Sequence, residues 1–191
     1  MKFFKPKFWD KNQISLFSIL FFPISLLVKL TNYFKRSLII KHNCSIPVIC
    51  VGNIYLGGTG KTPFCITLFS ILKNLNKNVA FVRKKYNFFQ DEINLLKFVG
   101  PVYESKKRIN ALNNAIKNNI EIAILDDGFQ DFSIKKNLSI ICFNEKQWIG
   151  NCFIIPSGPL REGLSALTRA NCVIINGKKN INIENKILKN N

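Results

Sequence analysis

The stretch from residue 46 to residue 72, IPVICVGNIYLGGTGKTPFCITLFSIL, constrains the fold of this chain more than any other. Val48 to Val51 is a short, β-branched apolar run, as expected of a strand buried within a parallel sheet. A glycine-rich turn follows. From Pro63 to Leu75, apolar residues recur at helical spacing: Phe64, Leu68, Ile71, Leu72 and Leu75. Strand, loop and helix in that order are the setting of a phosphate-binding loop. Gly57, Gly58 and Gly60 let the backbone curl until several N–H groups point at one anion. The helix starting near Lys61 adds its positive end. Lys61 is expected to put a full charge on the β- and γ-phosphates of a nucleotide, and Thr62 to offer its hydroxyl to Mg2+. Pro63 sits in the first turn, where its missing N–H costs little. The general pattern G-x-x-x-x-G-K-[ST] would put glycine at position 55, which is Tyr55; the glycine comes earlier, at Gly52. The competing reading is an ordinary glycine-rich turn.

A second motif lies in residues 120–132, IEIAILDDGFQDF. The apolar run Ile122 to Leu125 ends in Asp126 and Asp127. Carboxylates at the C-terminal tip of a parallel strand face the crevice where open α/β sheets bind ligands. A carboxylate holding Mg2+ or its waters is expected at this place, and two adjacent acids can divide the labour because their side chains point different ways. Gly128 is expected to provide the sharp exit from the strand. A solvated turn after the strand is the alternative, since Asp-Gly is a common turn pair.

The formal charge of +17 over 191 residues first suggests a nucleic-acid partner. The basic residues are 23 Lys against 5 Arg, with no lysine run longer than two. Readers of bases and phosphates lean instead on the arginine fork, so no nucleic acid is expected. Some of the charge suits an anionic membrane surface or a phosphorylated substrate. Six cysteines show no C-x-x-C pair and no metal spacing with the single His42. Most lie in apolar runs, and buried reduced thiols on the cytosolic side are expected.

No charged residue stands between Lys11 and Lys29, and ISLFSILFFPISLLV fills residues 14–28. The stretch reaches the short end of what spans a bilayer, and Pro23 would kink it. A signal peptide fits the basic start, but no small-residue cleavage site follows. A buried core helix is a second possibility. A membrane anchor or monotopic helix, with Tyr33, Lys35 and Arg36 at the interface, is the reading preferred here.

The runs VGNIYLGGTGKTP, LDDGFQ and PSGPLRE (residues 156–162) follow one another in that order, and LTRANCVIING closes the series. Together they resemble the tetraacyldisaccharide 4′-kinases, the kinases of lipid A synthesis, from an N-terminal helix at residues 12–34 to about Gly177. An early glycine and a later double glycine are typical of that family's loop. The resemblance implies transfer of the γ-phosphate of ATP to the 4′-hydroxyl of a tetraacylated glucosamine disaccharide 1-phosphate, giving lipid IVA. It implies ATP and Mg2+ as cofactors, membrane lipids as neighbours, and the cytoplasmic face of the bacterial inner membrane as location. By the same resemblance Tyr55, Leu56, Gly57, Gly58, Thr59, Gly60, Lys61 and Thr62 hold the nucleotide phosphates, with Thr62, Asp126 and Asp127 near the metal. Arg161 and Glu162 match an Arg-Glu pair lining the same site. Asp91 and Glu92 match the Asp-Glu of a Gly-Asp-Glu-Pro motif, whose Asp orients or deprotonates the attacking hydroxyl. A positioned carboxylate suits phosphoryl transfer, where alignment and charge neutralisation do most of the work.

Four departures from the family pattern stand out. Arg83, Lys84, Lys85, Tyr86 and Asn87 replace Ser-Arg-Gly-Tyr-Gly, so a loop that relies on glycine freedom is altered. The stretch from there to Asp91 is short. Asp131 stands where the family has His. The family continues past the final motif into a C-terminal half, carrying a histidine that pairs with the reacting Asp. A shortened, catalytically impaired ATP-binding member of the family is therefore the rival to an active kinase. The expected organisation is an anchor helix with basic flanks over residues 1–40, a kinase domain over 41–178 and a polar tail over 179–191. Further strands are expected at Val79–Val82, Leu138–Phe143 and Asn171–Asn176, and helices at residues 63–76 and 105–119. The fold class is α/β: a P-loop NTPase-like, mostly parallel sheet flanked by helices and preceded by a membrane-associated helix.

Overall fold

The computed structural model describes residues 5–10, 14–85 and 90–189. Tyr86 and Asn87 of the altered loop lie outside the described residues.

Six strands form one sheet in the order β3-β2-β4-β1-β5-β6. They are β1 (Val48–Gly52), β2 (Val79–Lys84), β3 (Val102–Ser105), β4 (Ile122–Asp126), β5 (Leu138–Asn144) and β6 (Cys172–Asn176). Every neighbouring pair is parallel. The helices are α1 (Leu16–Leu38), α2 (Lys61–Asn74), α3 (Gln90–Val99), α4 (Arg108–Lys117) and α5 (Ile181–Leu188).

Alternation along the strands builds a core on each face of the sheet. Cys50, Ala80, Val82, Ala123, Leu125, Ile141 and Phe143 point to one side, where Ala111, Leu112 and Ala115 of α4 and Ile183 and Ile187 of α5 cover them. Val51, Val79, Phe81, Ile124 and Cys142 point to the other, under Cys65 and Phe69 of α2 and Leu96 of α3. Phe69 stacks on Phe81 with ring centroids 4.9 Å apart. Burying such a side chain contributes roughly 1.5–3 kcal/mol. Central strands buried on both faces explain why the sequence shows continuous apolar runs there rather than alternation.

Three elements escaped the sequence reading. β3 is a short edge strand with no fully buried residue. α3 buries Ile93 and Leu96 but leaves Leu95 and Phe98 exposed, which blurs its apolar face along the sequence. The stretch expected as a polar tail contains α5, which Asn180 caps by accepting the N–H groups of Asn182 and Ile183. The cysteine expectation holds for Cys50, Cys65 and Cys142, which are buried and free, but Cys152 and Cys172 are exposed. Burial pushes the Cys50 thiol up to about 11 and Cys142 up to about 12.

α1 inverts the usual amphipathic rule. Its buried residues are Ser18 and Ser25, while Leu16, Leu20 and Leu27 are 81%, 68% and 62% exposed. Ser25 Oγ donates to the Ile154 carbonyl at 2.8 Å and lies 2.8 Å from Ser157 Oγ. Asn151 Nδ2 donates to Ser18 Oγ at 3.1 Å. The helix runs unbroken through Pro23 and is long and apolar enough to cross a membrane.

Candidate nucleotide-binding site

Val51 of β1 is in register with Asp126 of β4, so the glycine-rich loop and the acidic pair leave neighbouring strands at the same end. This adjacency assembles the site. The loop turns at Gly57 (φ 153°) and again at Gly60 (φ 83°), which is the N-cap of α2. A Cβ on Gly60 would stand 2.8 Å from Asn176 Nδ2, whereas one on Gly58 would meet nothing within 4 Å. The loop is therefore closed behind Gly60 by the end of β6 and open beside Gly58. Lys61 and Thr62 are the first residues of α2. The helix thus starts where the positive end of its dipole faces the open loop.

Asn53 holds the loop in shape. Its Nδ2 donates to the Gly57 carbonyl at 3.3 Å and to Thr59 Oγ1 at 3.0 Å. Gln130 Nε2 donates to the Asn53 carbonyl at 2.9 Å. The early glycine also has its reason here: a Cβ on Gly52 would lie 2.5 Å from Phe129 Cβ. The sharp exit from β4 is made by Asp127 itself, at φ 54°, and not by Gly128, which the sequence suggested. Asp127 N–H donates to the Val51 carbonyl at 2.9 Å and Arg108 Nη2 donates to the Asp127 carbonyl at 2.6 Å. These two bonds offset the strain of a left-handed aspartate.

The two acids face different cations. Lys61 Nζ is 3.7 Å from Asp127 Oδ1. Arg161 Nη1 donates to Asp127 Oδ1 and Oδ2 at 3.0 and 3.1 Å. Burial alone would raise the Asp127 carboxyl, but Lys61 and Arg161 outweigh it and hold the group below the usual carboxylate range. Asp126 is 2% exposed. Its burial pushes the carboxyl above the usual range despite Arg83, whose Nη1 lies 3.3 Å from Asp126 Oδ2. Neighbouring carboxylates driven in opposite directions are a mark of functional sites.

Asp126 Oδ2 is buried and makes no hydrogen bond among the described residues. A buried carboxylate oxygen with a loose ion-pair contact to Arg83 and no hydrogen bond suits a divalent cation. No group of three or more His, Cys, Asp or Glu among the described residues could hold a metal alone. A cation here would lean on phosphate oxygens and water, as magnesium does.

The other expected residues distribute unevenly. Tyr55 is fully buried, and its hydroxyl donates to Asp10 at 2.9 Å. Its side chain ties the loop to the N-terminal segment rather than facing the glycines' open side. The Leu56 N–H is taken by the Pro159 carbonyl at 2.8 Å, so it is not free for an anion. The PSGPLRE segment comes beside the loop: Tyr55 bridges Leu160, and Arg161 N–H donates to the Ile54 carbonyl at 2.7 Å. Glu162 pairs with Arg169. Asp91, the second residue of α3, has its side chain exposed and makes no ion pair among the described residues. Its neighbour Glu92 lies 3.4 Å from Arg83 Nη2. Asp131 pairs with Arg108 at 3.3 Å. A cleft of about 550 Å3 beside Asp127 is bordered by Arg108, Gln130, Asp131, Arg161 and His42. Asn53, Arg83 and Arg108 were missed as site residues because nothing local marks them as facing the site, although Asn53 lies in the VGN run and Arg83 at the altered loop.

Comparison with known proteins identifies the family. The family model described as tetraacyldisaccharide-1-P 4′-kinase matches residues 17–93 and 89–190. The tetraacyldisaccharide 4′-kinase of Pelagibacter ubique is 45% identical over 94% of this chain and 57% of its own length. That of Parvibaculum lavamentivorans is 30% identical over 91% of this chain, again 57% of the relative. Among solved structures, the "apo" form of LpxK from Aquifex aeolicus in complex with ATP superposes with a TM-score of 0.70 at 25% identity, covering 84% of this chain and 59% of that one. The chain thus spans a little under three fifths of the length of these relatives.

Proposed function

The chain belongs to the tetraacyldisaccharide-1-P 4′-kinase family, and on that premise we propose that it binds ATP with Mg2+ in the loop at Gly57–Thr62 and directs the γ-phosphate to the 4′-hydroxyl of a tetraacylated glucosamine disaccharide 1-phosphate. One observation carries the reading: Lys61 and the Asp126–Asp127 pair converge at the ends of adjacent strands, with Lys61 Nζ 3.7 Å from Asp127.

In this reading the N–H groups of the loop and the start of α2 grip the phosphates, and Lys61 leaves Asp127 to neutralise them. Arg161 keeps Asp127 ionised and oriented once Lys61 has moved. Asp126 and Thr62 would hold a divalent cation, which would supply positive charge against the negative charge that develops on transfer. The cleft beside Asp127 receives the sugar, and its borders Arg108 and Arg161 suit a phosphorylated substrate. Asp91 would orient the attacking hydroxyl if α3 swings its first turn toward the cleft.

α1 supports a membrane location. Its outward leucines and phenylalanines suit acyl chains, while inward serines bind the domain. We place the chain on the cytoplasmic face of the bacterial inner membrane, where ATP meets a lipid-embedded acceptor, with α1 as the anchor and the sheet with α2 to α5 as the kinase domain. Labelled ATP and the tetraacyl disaccharide, incubated with the protein in mixed micelles, test the proposal. Transfer of label to the lipid supports it. Nucleotide bound with no labelled lipid would instead leave an ATP-binding member of the family without turnover, and no nucleotide binding would sink both.

A further inference from the structure

Arg83 is the second-last residue of β2, only 4% exposed. Because Val82 is in register with Leu125, Arg83 arrives beside Asp126. Its guanidinium stands between two acids. Nη1 is 3.3 Å from Asp126 Oδ2, and Nη2 is 3.4 Å from Oε2 of Glu92, whose side chain is 52% exposed in the first turn of α3. The pairing is poor for a buried arginine. Nε, Nη1 and Asp126 Oδ2 make no hydrogen bond among the described residues, and the two-pronged geometry that makes arginine–carboxylate pairs strong is missing. Such a contact neutralises charge without locking either partner.

We propose that Arg83 is a resident counter-ion for Asp126, which a divalent cation displaces toward Glu92 when the metal takes up that carboxylate. The inference rests on the reading of Asp126 as a metal ligand. A divalent cation and the Arg83 guanidinium compete for Asp126 Oδ2, because their mutual repulsion is large where water is scarce; Asp126 is 2% exposed, whereas Asp127, which carries two cations, keeps 27% of its side chain open to solvent. Arg83 has a second acid already within reach on its solvent side, so it need not be stranded. Arg83 is therefore a positioning residue: it acts on the metal through Asp126 and sets how strongly cation and nucleotide reinforce each other. A purely structural ion pair would stabilise the fold and leave that coupling unchanged.

The test titrates a fluorescent ADP analogue into the full chain, once with saturating Mn2+ and once with EDTA. The ratio of the two Kd values measures the coupling. In Arg83→Gln the ratio should rise about tenfold or more, since close charge pairs couple at that level. In Glu92→Gln it should fall, because Arg83 loses its alternative partner and stays on Asp126. In Asp126→Asn it should collapse toward unity. If both Arg83→Gln and Glu92→Gln stay within about twofold of the parent while Asp126→Asn collapses, the inference is wrong and the metal site stands. If Asp126→Asn keeps the parent ratio, the metal site itself is wrong and the inference goes with it. Should Arg83→Gln not fold, the Glu92→Gln arm decides alone.

Discussion

Lys61 Nζ and Asp127 Oδ1 lie 3.7 Å apart, although 66 positions of sequence separate them. Parallel pairing of β1 with β4 brings them together, and Arg161 makes Asp127 a carboxylate with two cations. This arrangement lets Lys61 leave for a phosphate without exposing an unpaired buried charge.

Lys61→Ala should therefore fold normally, since Arg161 still holds Asp127. Its affinity for ATP should fall by about tenfold or more, through loss of a charge-assisted contact to phosphate. Calorimetric titration measures this directly. Parent-like affinity would discredit the loop as the nucleotide site.

Gly52→Ala should destabilise the protein by about 1–3 kcal/mol. The new Cβ would stand 2.5 Å from Phe129 Cβ and 3.2 Å from the Phe129 amide, and neither atom belongs to a flexible side-chain end. Urea unfolding at neutral pH reports the change. An unaltered midpoint would mean that the two motif loops are not packed as tightly as the structure has them.

The acid limb of the stability curve should depend on Asp127 and Asp131. Burial opposes ionisation in both, but cations and, for Asp131, the Ser133 hydroxyl hold them below the ordinary range. Their stabilisation is complete above the unfolded value of about 4 and is lost as pH falls through the lowered folded values. Asp126, held high by burial, works the other way and costs stability as pH rises through the ordinary value toward its folded one. Asp127→Asn should flatten the fall in unfolding free energy at low pH. An acid limb of parent steepness in that variant would contradict the assignment.

Replacing Leu20 and Leu27 together with Ser should release the protein from vesicles of anionic and zwitterionic lipid. Each is more than 60% exposed in α1, so the thermal midpoint should hardly move, as for other surface changes of about 0.5 kcal/mol or less. Removing residues 1–34 should also abolish sedimentation with vesicles. That deletion strips the Ser25–Ser157 contact as well, which makes the leucine pair the cleaner probe. Continued sedimentation of the leucine variant would mean that another surface meets the lipid.

Much of the architecture was legible along the chain. The runs at Val48, Val79, Ile122 and Leu138 are strands because central parallel strands need apolar residues on both faces, and the edge strand β6 shows by its apolar run CVIIN. The other edge strand, β3, was not legible, since its four residues, VYES, include no apolar run. Nor was α5, whose two buried isoleucines are lost among Lys and Asn. Within the site, Gly57, Gly60, Lys61, Asp126 and Asp127 announce themselves by type and spacing. Arg83 and Arg108 do not, because an arginine near a strand end or at a helix start looks the same whether it faces solvent or a carboxylate.

By itself the sequence determined the strand–loop–helix unit, the acidic strand end and the order of motifs, because these depend on neighbours within a few residues, on glycine's backbone freedom and on side-chain period. Only the tertiary structure decided that Lys61 and Arg161 share Asp127, that Arg83 meets Asp126, and that α1 turns its serines inward. Those contacts depend on strand order, register and the rotation of each helix on the sheet, which arise from packing the whole core and leave no local trace.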